Sequence, residues 1–174
     1  IYLATLGPKA MELTGELADG WIGTSFVPEH ADVFMAPLQR GLEKSSRSLS
    51  DLDIQVGGSL EISEDVERLI EARRPAMAFT LGGMGSAQTN FYNDAFSRAG
   101  YEAEAKKVQS LWVDGKKEEA IRAVPDEMVL KTNLIGTREM VIERIRAYAA
   151  VGVTTLRVST TGTNWKERTE SLAE

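Results

Sequence analysis

The sequence has 174 residues, one domain's worth at roughly 100–200 residues per domain, and sets 20 Lys+Arg against 26 Asp+Glu for a net charge of −6. That balance, without any basic run, excludes a nucleic-acid face and an anionic-membrane patch and leaves small molecules or proteins as partners. With no cysteine there is no disulfide framework, thiolate nucleophile or Cys-based metal site, a cytoplasmic setting is expected, and no apolar stretch reaches the roughly 18–20 residues of a membrane span.

Residues 1–5 (IYLAT) are apolar and β-prone. From Pro8 the period changes: Ala10, Leu13, Thr14 and Leu17 follow the spacing of a one-faced helix, with Pro8 in its first turn and Asp19-Gly20 as its stop. Residues 21–25 (WIGTS) read as a second, buried strand, and VPEH opens a helix with Ala31, Phe34, Leu38 and Leu42 on its apolar face. A third strand alternates Ile54, Val56, Leu60 and Ile62 around Gly57-Gly58. The helix that follows from about Glu64 carries Val66, Leu69, Ile70 and Met77 on one side, and Pro75 is expected to kink or restart it.

From about residue 80 to residue 130 the rhythm breaks. TLGGMGSAQTNFYND reads as a Gly-rich, aromatic loop, either a plain structural loop or one able to lid a site, and two helices follow, one with Tyr101, Ala105, Val108 and Trp112, the other from Lys116 to Val124. Then comes a helix capped by Thr137, bearing Val141, Ile145 and Tyr148 and ended by Gly152, a fourth strand over VTTLRVSTTG, and the start of another helix. Four strands, each followed by a helix, imply a parallel sheet with right-handed crossovers. Either this is a complete open doubly wound sheet, or it is half of a (β/α)8 barrel, which takes eight units.

Few residues carry chemistry. Leu6-Gly7-Pro8-Lys9-Ala10 puts a glycine at a strand's carboxyl end just before a helix, where free N–H groups attract phosphate and Lys9 adds charge; a plain tight turn is the competing account. Neither GxGxxG nor GxxxxGK[ST] is present. Thr24 and Ser25 close the second strand and either face a ligand or cap the next helix. His30, the one histidine, falls in the first turn of an amphipathic helix and is expected on the solvated surface, so neither a His-based metal site nor a Ser-His-Asp triad is expected. Lys131 and Arg157 stand near element ends, Lys131 as an anion contact and Arg157 on the opposite side of its strand from Leu156 and Val158, with a salt-bridged structural role the competing account for both.

IYLATLGPKAMELTGELADGW, LGGMGSAQTNFYNDAFSRAGY, VPDEMV and IGTREMVIERIRAYAAVGVTTLRVS, in this order, resemble the C-terminal half of luciferase-like flavin or deazaflavin oxidoreductases, most of all the actinobacterial type that uses coenzyme F420. The resemblance implies a (β/α)8 barrel with an insertion before its last strand. The present strands would be strands five to eight, residues 1–174 the back half of the barrel, and 80–130 a helical insertion. A chain opening inside a strand without an initiator Met fits that expectation. By the same resemblance, Leu6, Gly7, Lys9 and Ala10 contact the phosphate-bearing tail of F420, with FMN as the alternative cofactor. Thr24 and Lys131 match substrate contacts of related sugar-phosphate dehydrogenases. SFVPE lacks the further phosphate-binding lysine of those enzymes, which argues against a sugar-phosphate substrate. The family's proton-donating histidine, catalytic glutamate and strained peptide lie on strands outside this chain. The implied activity is hydride transfer between a deazaflavin and an organic substrate, with an FMN monooxygenase as the alternative. A half-barrel alone should be inactive, and its open edges should pair with the missing half or with a second copy as a homo-oligomer.

Overall fold

The computed structural model describes residues 1–86, 88–162 and 164–173, so Ala87 of the Gly-rich stretch lies outside the described residues. The chain runs β1 (Tyr2–Leu3), α1 (Pro8–Leu17), β2 (Gly20–Ile22), α2 (Asp32–Lys44), β3 (Asp53–Val56), β4 (Ser59–Ile62) and α3 (Val66–Gly82). It continues with α4 (Phe91–Phe96), α5 (Glu102–Val113), α6 (Lys117–Arg122), α7 (Asp126–Lys131), β5 (Leu134–Gly136), α8 (Arg138–Ala150), β6 (Thr155–Leu156), β7 (Ser159–Thr160) and α9 (Trp165–Ala173). Every strand pairing is parallel, in the orders β1-β2-β3-β6 and β5-β4-β7. The arrangement is α/β, an arc of βα units amounting to half of a (β/α)8 barrel, with helices α3 to α7 running between β4 and β5, ahead of α8 and the final strands β6 and β7.

Two long strands are each divided. β3 and β4 are separated only by Gly57-Gly58, and β6 and β7 only by Arg157-Val158. The two breaks face each other. A Cβ on Gly57 would stand 2.8 Å from the Arg157 carbonyl carbon, and one on Gly58 would stand 2.5 Å from the Thr132 carbonyl oxygen. Only glycine lets these backbones approach so closely, and the ladder changes partners there, from β2 and β6 to β5 and β7.

Beneath the sheet lies a core of Trp21, Phe26, Phe34, Leu38, Leu42, Ile54 and Tyr148, and a second core joins α3 to the inserted helices through Leu69, Leu81, Phe96, Val108 and Met128. The Trp21 and Phe34 ring centroids are 5.4 Å apart and those of Phe26 and Tyr148 5.9 Å, while the Trp21 indole N–H donates to the Thr5 carbonyl at 2.9 Å. Burial pushes the Tyr148 hydroxyl up to about 12.

Several expectations need correction. The buried side of α1 is Met11, Thr14 and Gly15, whereas Ala10, Leu13 and Leu17 face outward, because α1 meets α2 through glycines instead of through its leucines. Ile145 is likewise exposed on α8, although Thr137 caps that helix and Gly152 follows its end with φ +90. Pro75 sits inside α3, which runs on through it, so the helix does not restart there. NFYND is not a loop but the start of α4: the Asn90 side chain accepts from the Tyr92 and Asn93 N–H groups, and its amide donates to the Thr80 and Leu81 carbonyls. Gly100, at φ +88, kinks the chain between α4 and α5. β5, too short to show a period of its own, adds a strand that was not foreseen.

Candidate functional site

The βα turn after β1 is the first candidate. Gly7 is the N-cap of α1 with φ −73 and ψ 141, a conformation open to any residue, and a Cβ added there would meet nothing within 4 Å. Neither backbone strain nor packing within the chain therefore calls for glycine. No side chain caps the helix; Pro8 has no N–H and the Met11 N–H donates to the Gly7 carbonyl at 2.9 Å, so Lys9 and Ala10 supply the uncapped N–H groups of its first turn. Leu6, Gly7 and Pro8 form one wall of a cavity of about 360 Å³, and Phe91, Asp94, Ser97 and Arg98 from the inserted segment form the other. Arg98 ties the walls together: its guanidinium donates to the Leu6 carbonyl at 2.8 Å and to the Val33 carbonyl at 3.4 Å and lies 5.9 Å from the Phe34 ring centroid. Lys9 and Ala10 are exposed on the same helical turn, outside the cavity wall.

A second cavity, of about 190 Å³, lies between the end of β2, the Gly57-Gly58 break and α3; Thr24, Ser25, Ser59, Arg73, Met77 and Phe96 are among its walls. Ser25 has φ +56, a left-handed conformation rare for a serine and of the kind that gathers at ligand sites. The Arg73 guanidinium donates to Glu61 Oε2 at 2.6 Å and to the Leu69 carbonyl at 3.3 Å, and Arg68 donates to Glu61 Oε1 at 2.9 Å. Burial raises the Glu61 carboxyl, but the hydrogen bonds and charges of Arg73 and Arg68 outweigh it, and the group is held below its ordinary value. On the other side of the break, Thr24 also lines a cleft of about 270 Å³ with Arg157 and Ser159.

Lys131 stands apart from Thr24. It lines a charged cleft of about 330 Å³ with Glu29, Glu143 and Arg144, and its ammonium donates to the Glu127 carboxylate, which raises its affinity for the proton. His30 is half-buried, not solvated, with its ring edge-on to Tyr101 at 5.8 Å between centroids. The structure thus joins Leu6 and Gly7 to the 91–98 segment, keeps Thr24 with the Gly57-Gly58 break, and sends Lys131 elsewhere. Arg73 and Arg98 were not singled out from sequence, since each reads as one more charge on an amphipathic stretch.

A family model described as luciferase-like monooxygenase matches residues 1–155. A Mycobacterium tuberculosis protein named for coenzyme F420-dependent oxidoreduction is 31% identical over 161 residues, which is 91% of this chain and 46% of that protein. The 5,10-methylenetetrahydromethanopterin reductase of Archaeoglobus fulgidus is 28% identical over 154 residues, 88% of this chain and 46% of the reductase. Among solved structures, the coenzyme F420-dependent tetrahydromethanopterin reductase of Methanopyrus kandleri superposes with a TM-score of 0.72 at 22% identity, covering 97% of this chain and 46% of that one. The chain therefore spans less than half the length of the relatives it matches.

Proposed function

The chain belongs to the luciferase-like monooxygenase family, and we propose that it forms the cofactor-tail side of an F420-dependent oxidoreductase that transfers hydride between the deazaflavin and a small organic substrate. F420 is preferred to FMN because the relatives carry it in their names. When bound, the deazaflavin supplies the hydride chemistry, and the protein holds and orients it.

The observation that carries this reading is the turn at Gly7: an uncapped helix N-terminus whose glycine is required by neither conformation nor packing. Empty space before free N–H groups suits a phosphate, which the helix dipole favours. In this proposal Leu6 and Gly7 contact the tail, Lys9 and Ala10 supply charge and a backbone N–H from the first helical turn, and Arg98 fixes the turn by holding the Leu6 carbonyl. Thr24 contacts substrate. Lys131 serves a substrate anion only if that anion displaces Glu127. The proton-transfer groups belong to strands outside this sequence.

The test is a fluorescence titration of F420 and of FMN into purified protein of verified intact mass, alongside Gly7→Leu. F420 should bind more tightly than FMN, and Gly7→Leu should weaken F420 at least about tenfold, the effect of losing one or two hydrogen bonds to a charged group, with thermal stability retained. Unaltered F420 affinity in Gly7→Leu would refute the phosphate role.

A second reading, assembly, has its own observation. Tyr2, Leu13 and Leu17 are exposed at the β1 edge of the arc, and Val158 and Trp165 near its other end. In a closed barrel both edges are covered by neighbouring βα units, so we propose that the missing half or a second copy covers them here.

A further inference from the structure

We propose that a gap in the β-ladder at Gly57 is the substrate seat and that it takes an uncharged hydroxyl or carbonyl group on a short alkyl chain. As an assignment to substrate this rests on the reading above, although the binding itself does not require the cofactor.

The long strand formed by β3 and β4 has two edges. Along one, the Val56 carbonyl accepts from the Arg157 N–H at 2.8 Å and the Gly58 carbonyl from the Ser159 N–H at 3.0 Å, so pairing with β6 and β7 continues across the break. Along the other, β2 departs before β5 arrives. The Gly23 N–H makes the last bond of β2, to the Gln55 carbonyl at 2.8 Å, and the next group engaged is the Ser59 N–H, which donates to Asn133 Oδ1 at 2.9 Å. Successive residues of a strand turn their peptide groups to alternate edges, so Gly57 faces the space between. Neither its N–H nor its carbonyl makes a hydrogen bond among the described residues. Backbone groups withdrawn from water are nearly always paired, and half-buried Gly57 offers a guest both a donor and an acceptor.

The cavity of about 190 Å³ opens on this gap. Thr24 and Ser25 stand where β2 departs and Ser59 where β5 arrives, and their hydroxyls line the cavity without a hydrogen-bond partner among the described residues. A hydroxyl both donates and accepts, so this set serves a ligand carbonyl and a ligand hydroxyl alike.

Charge argues against an anion. Arg73, the charged side chain of the cavity wall, already donates to Glu61 at 2.6 Å and to the Leu69 carbonyl at 3.3 Å. Arg68, which shares Glu61, is 52% exposed and stands outside the wall, where salt and water screen it. Asn133 is engaged with the Ser59 N–H and the Val129 carbonyl. A carboxylate entering here would lose hydration without gaining a counter-charge. Ala76, Met77 and Phe96 supply an apolar wall suited to a short alkyl group. At roughly 30 Å³ of liquid volume per water-sized group, the space holds on the order of six non-hydrogen atoms.

2-Butanol and butanone are the probes, and butyrate, with the same number of carbons, is the anionic control. The Gly57 amide cross-peak is followed by ¹H–¹⁵N NMR in the intact chain without F420. Both neutral probes should shift it saturably, and butyrate should bind at least about tenfold more weakly. Thr24→Val combined with Ser59→Ala removes two of the hydroxyls at nearly constant volume. It should weaken 2-butanol about tenfold, the effect of losing one or two neutral hydrogen bonds, with thermal stability retained. A cross-peak indifferent to both neutral probes, equal binding of butyrate, or undiminished 2-butanol affinity in the double variant would each overturn the proposal. F420 affinity on the same sample separates the two readings: F420 bound without 2-butanol defeats only the neutral seat, and 2-butanol bound without F420 defeats only the cofactor assignment.

Discussion

Replacing Gly41 by alanine should unseat the contact that fixes α1, and with it the turn at Gly7. Within α2, alanine is the better helix former by about 0.8–1 kcal/mol, so propensity alone predicts stabilisation. Packing opposes it. A Cβ at Gly41 would run into the Glu12 carbonyl oxygen and lie 2.8 Å from both the Glu12 carbonyl carbon and the Glu16 nitrogen, about 0.6 Å inside the 3.4 Å at which ordinary contact begins. Gly15 meets α2 in the same way, 3.0 Å from the Leu38 carbonyl carbon and from the Leu42 nitrogen. The obstacle is helix backbone on both sides, so nothing yields by a rotamer change and the helices must separate, loosening Met11, Phe34 and Leu38 and the Glu12 pairs with Arg40 and Lys44. Overpacking at the upper end of its usual range of about 1–3 kcal/mol, less the propensity gain, leaves a net destabilisation of about 2 kcal/mol. For a chain of this size that is a fall in Tm of about 4–8 °C. Urea unfolding followed by tryptophan fluorescence measures it, with Gly7→Ala as the control. That substitution, at φ −73 in open space, should change stability by less than about 1 kcal/mol, because the gain through the unfolded chain is offset by alanine's poorer fit to an N-cap. If Gly41→Ala proved as stable as Gly7→Ala, the close helix contact would not exist as described.

Hydrogen bonds from Gln55, Thr154, Tyr2 and Thr155 hold the Asp53 carboxyl at about 2, below its ordinary 3.8. A depressed carboxyl contributes stability above its unfolded-state value and loses it as pH falls through the folded one, so Asp53→Asn should flatten the stability profile between about pH 4 and pH 2; a wild-type slope in the variant would argue against those bonds. The buried Asn93 amide donates to the Leu81 carbonyl at 2.9 Å and the Ala105 carbonyl at 2.8 Å. Asn93→Leu removes both bonds, although the Leu81 carbonyl keeps its bond from Asn90, and should cost roughly 1–3 kcal/mol in thermal denaturation; a neutral result would mean water replaces the amide. Introducing Leu13→Glu with Leu17→Glu should drive any oligomer toward monomer in sedimentation velocity, and an unaltered distribution would place the association surface away from α1.

The strand and helix order was legible because parallel βα units write alternation and capping directly into sequence: Phe34, Leu38 and Leu42 on α2, and Ile54 and Val56 on β3, lie buried as their spacing implies. α1 was legible as a helix but not in its orientation. Its leucines suggest one buried face, yet Gly15 against the α2 backbone and Gly41 against the α1 backbone draw the other face inward, and hydrophobic periodicity gives no weight to glycine. β5 has three residues, and its place is set by pairing with β4, a long-range fact. For the site, the Gly7 turn could be located from local chemistry. Its opposite wall, Phe91 to Arg98, follows it by more than eighty residues and is brought there by the fold of the inserted helices. Arg73 has a helical neighbourhood like that of Arg68 or Arg74, and only the burial of its Nε sets it apart.

The excursion from Ser63 to Asn133 leaves the sheet at the end of β4 and rejoins it next to that same strand, Leu60 opposite Leu134 and Ile62 opposite Gly136. Exit and re-entry are thus adjacent berths on one ladder, and the number of residues spent in between does not alter where the next strand lands. A segment with this connection can lengthen, shorten or be exchanged wholesale while the barrel arc keeps its register. Because Phe91, Ser97 and Arg98 on one cavity, and Arg73 and Phe96 on another, all ride on the excursion, such an exchange would replace one wall of each cavity and leave the Gly7 and Thr24 walls standing. The architecture separates what is held fixed from what is free to diversify.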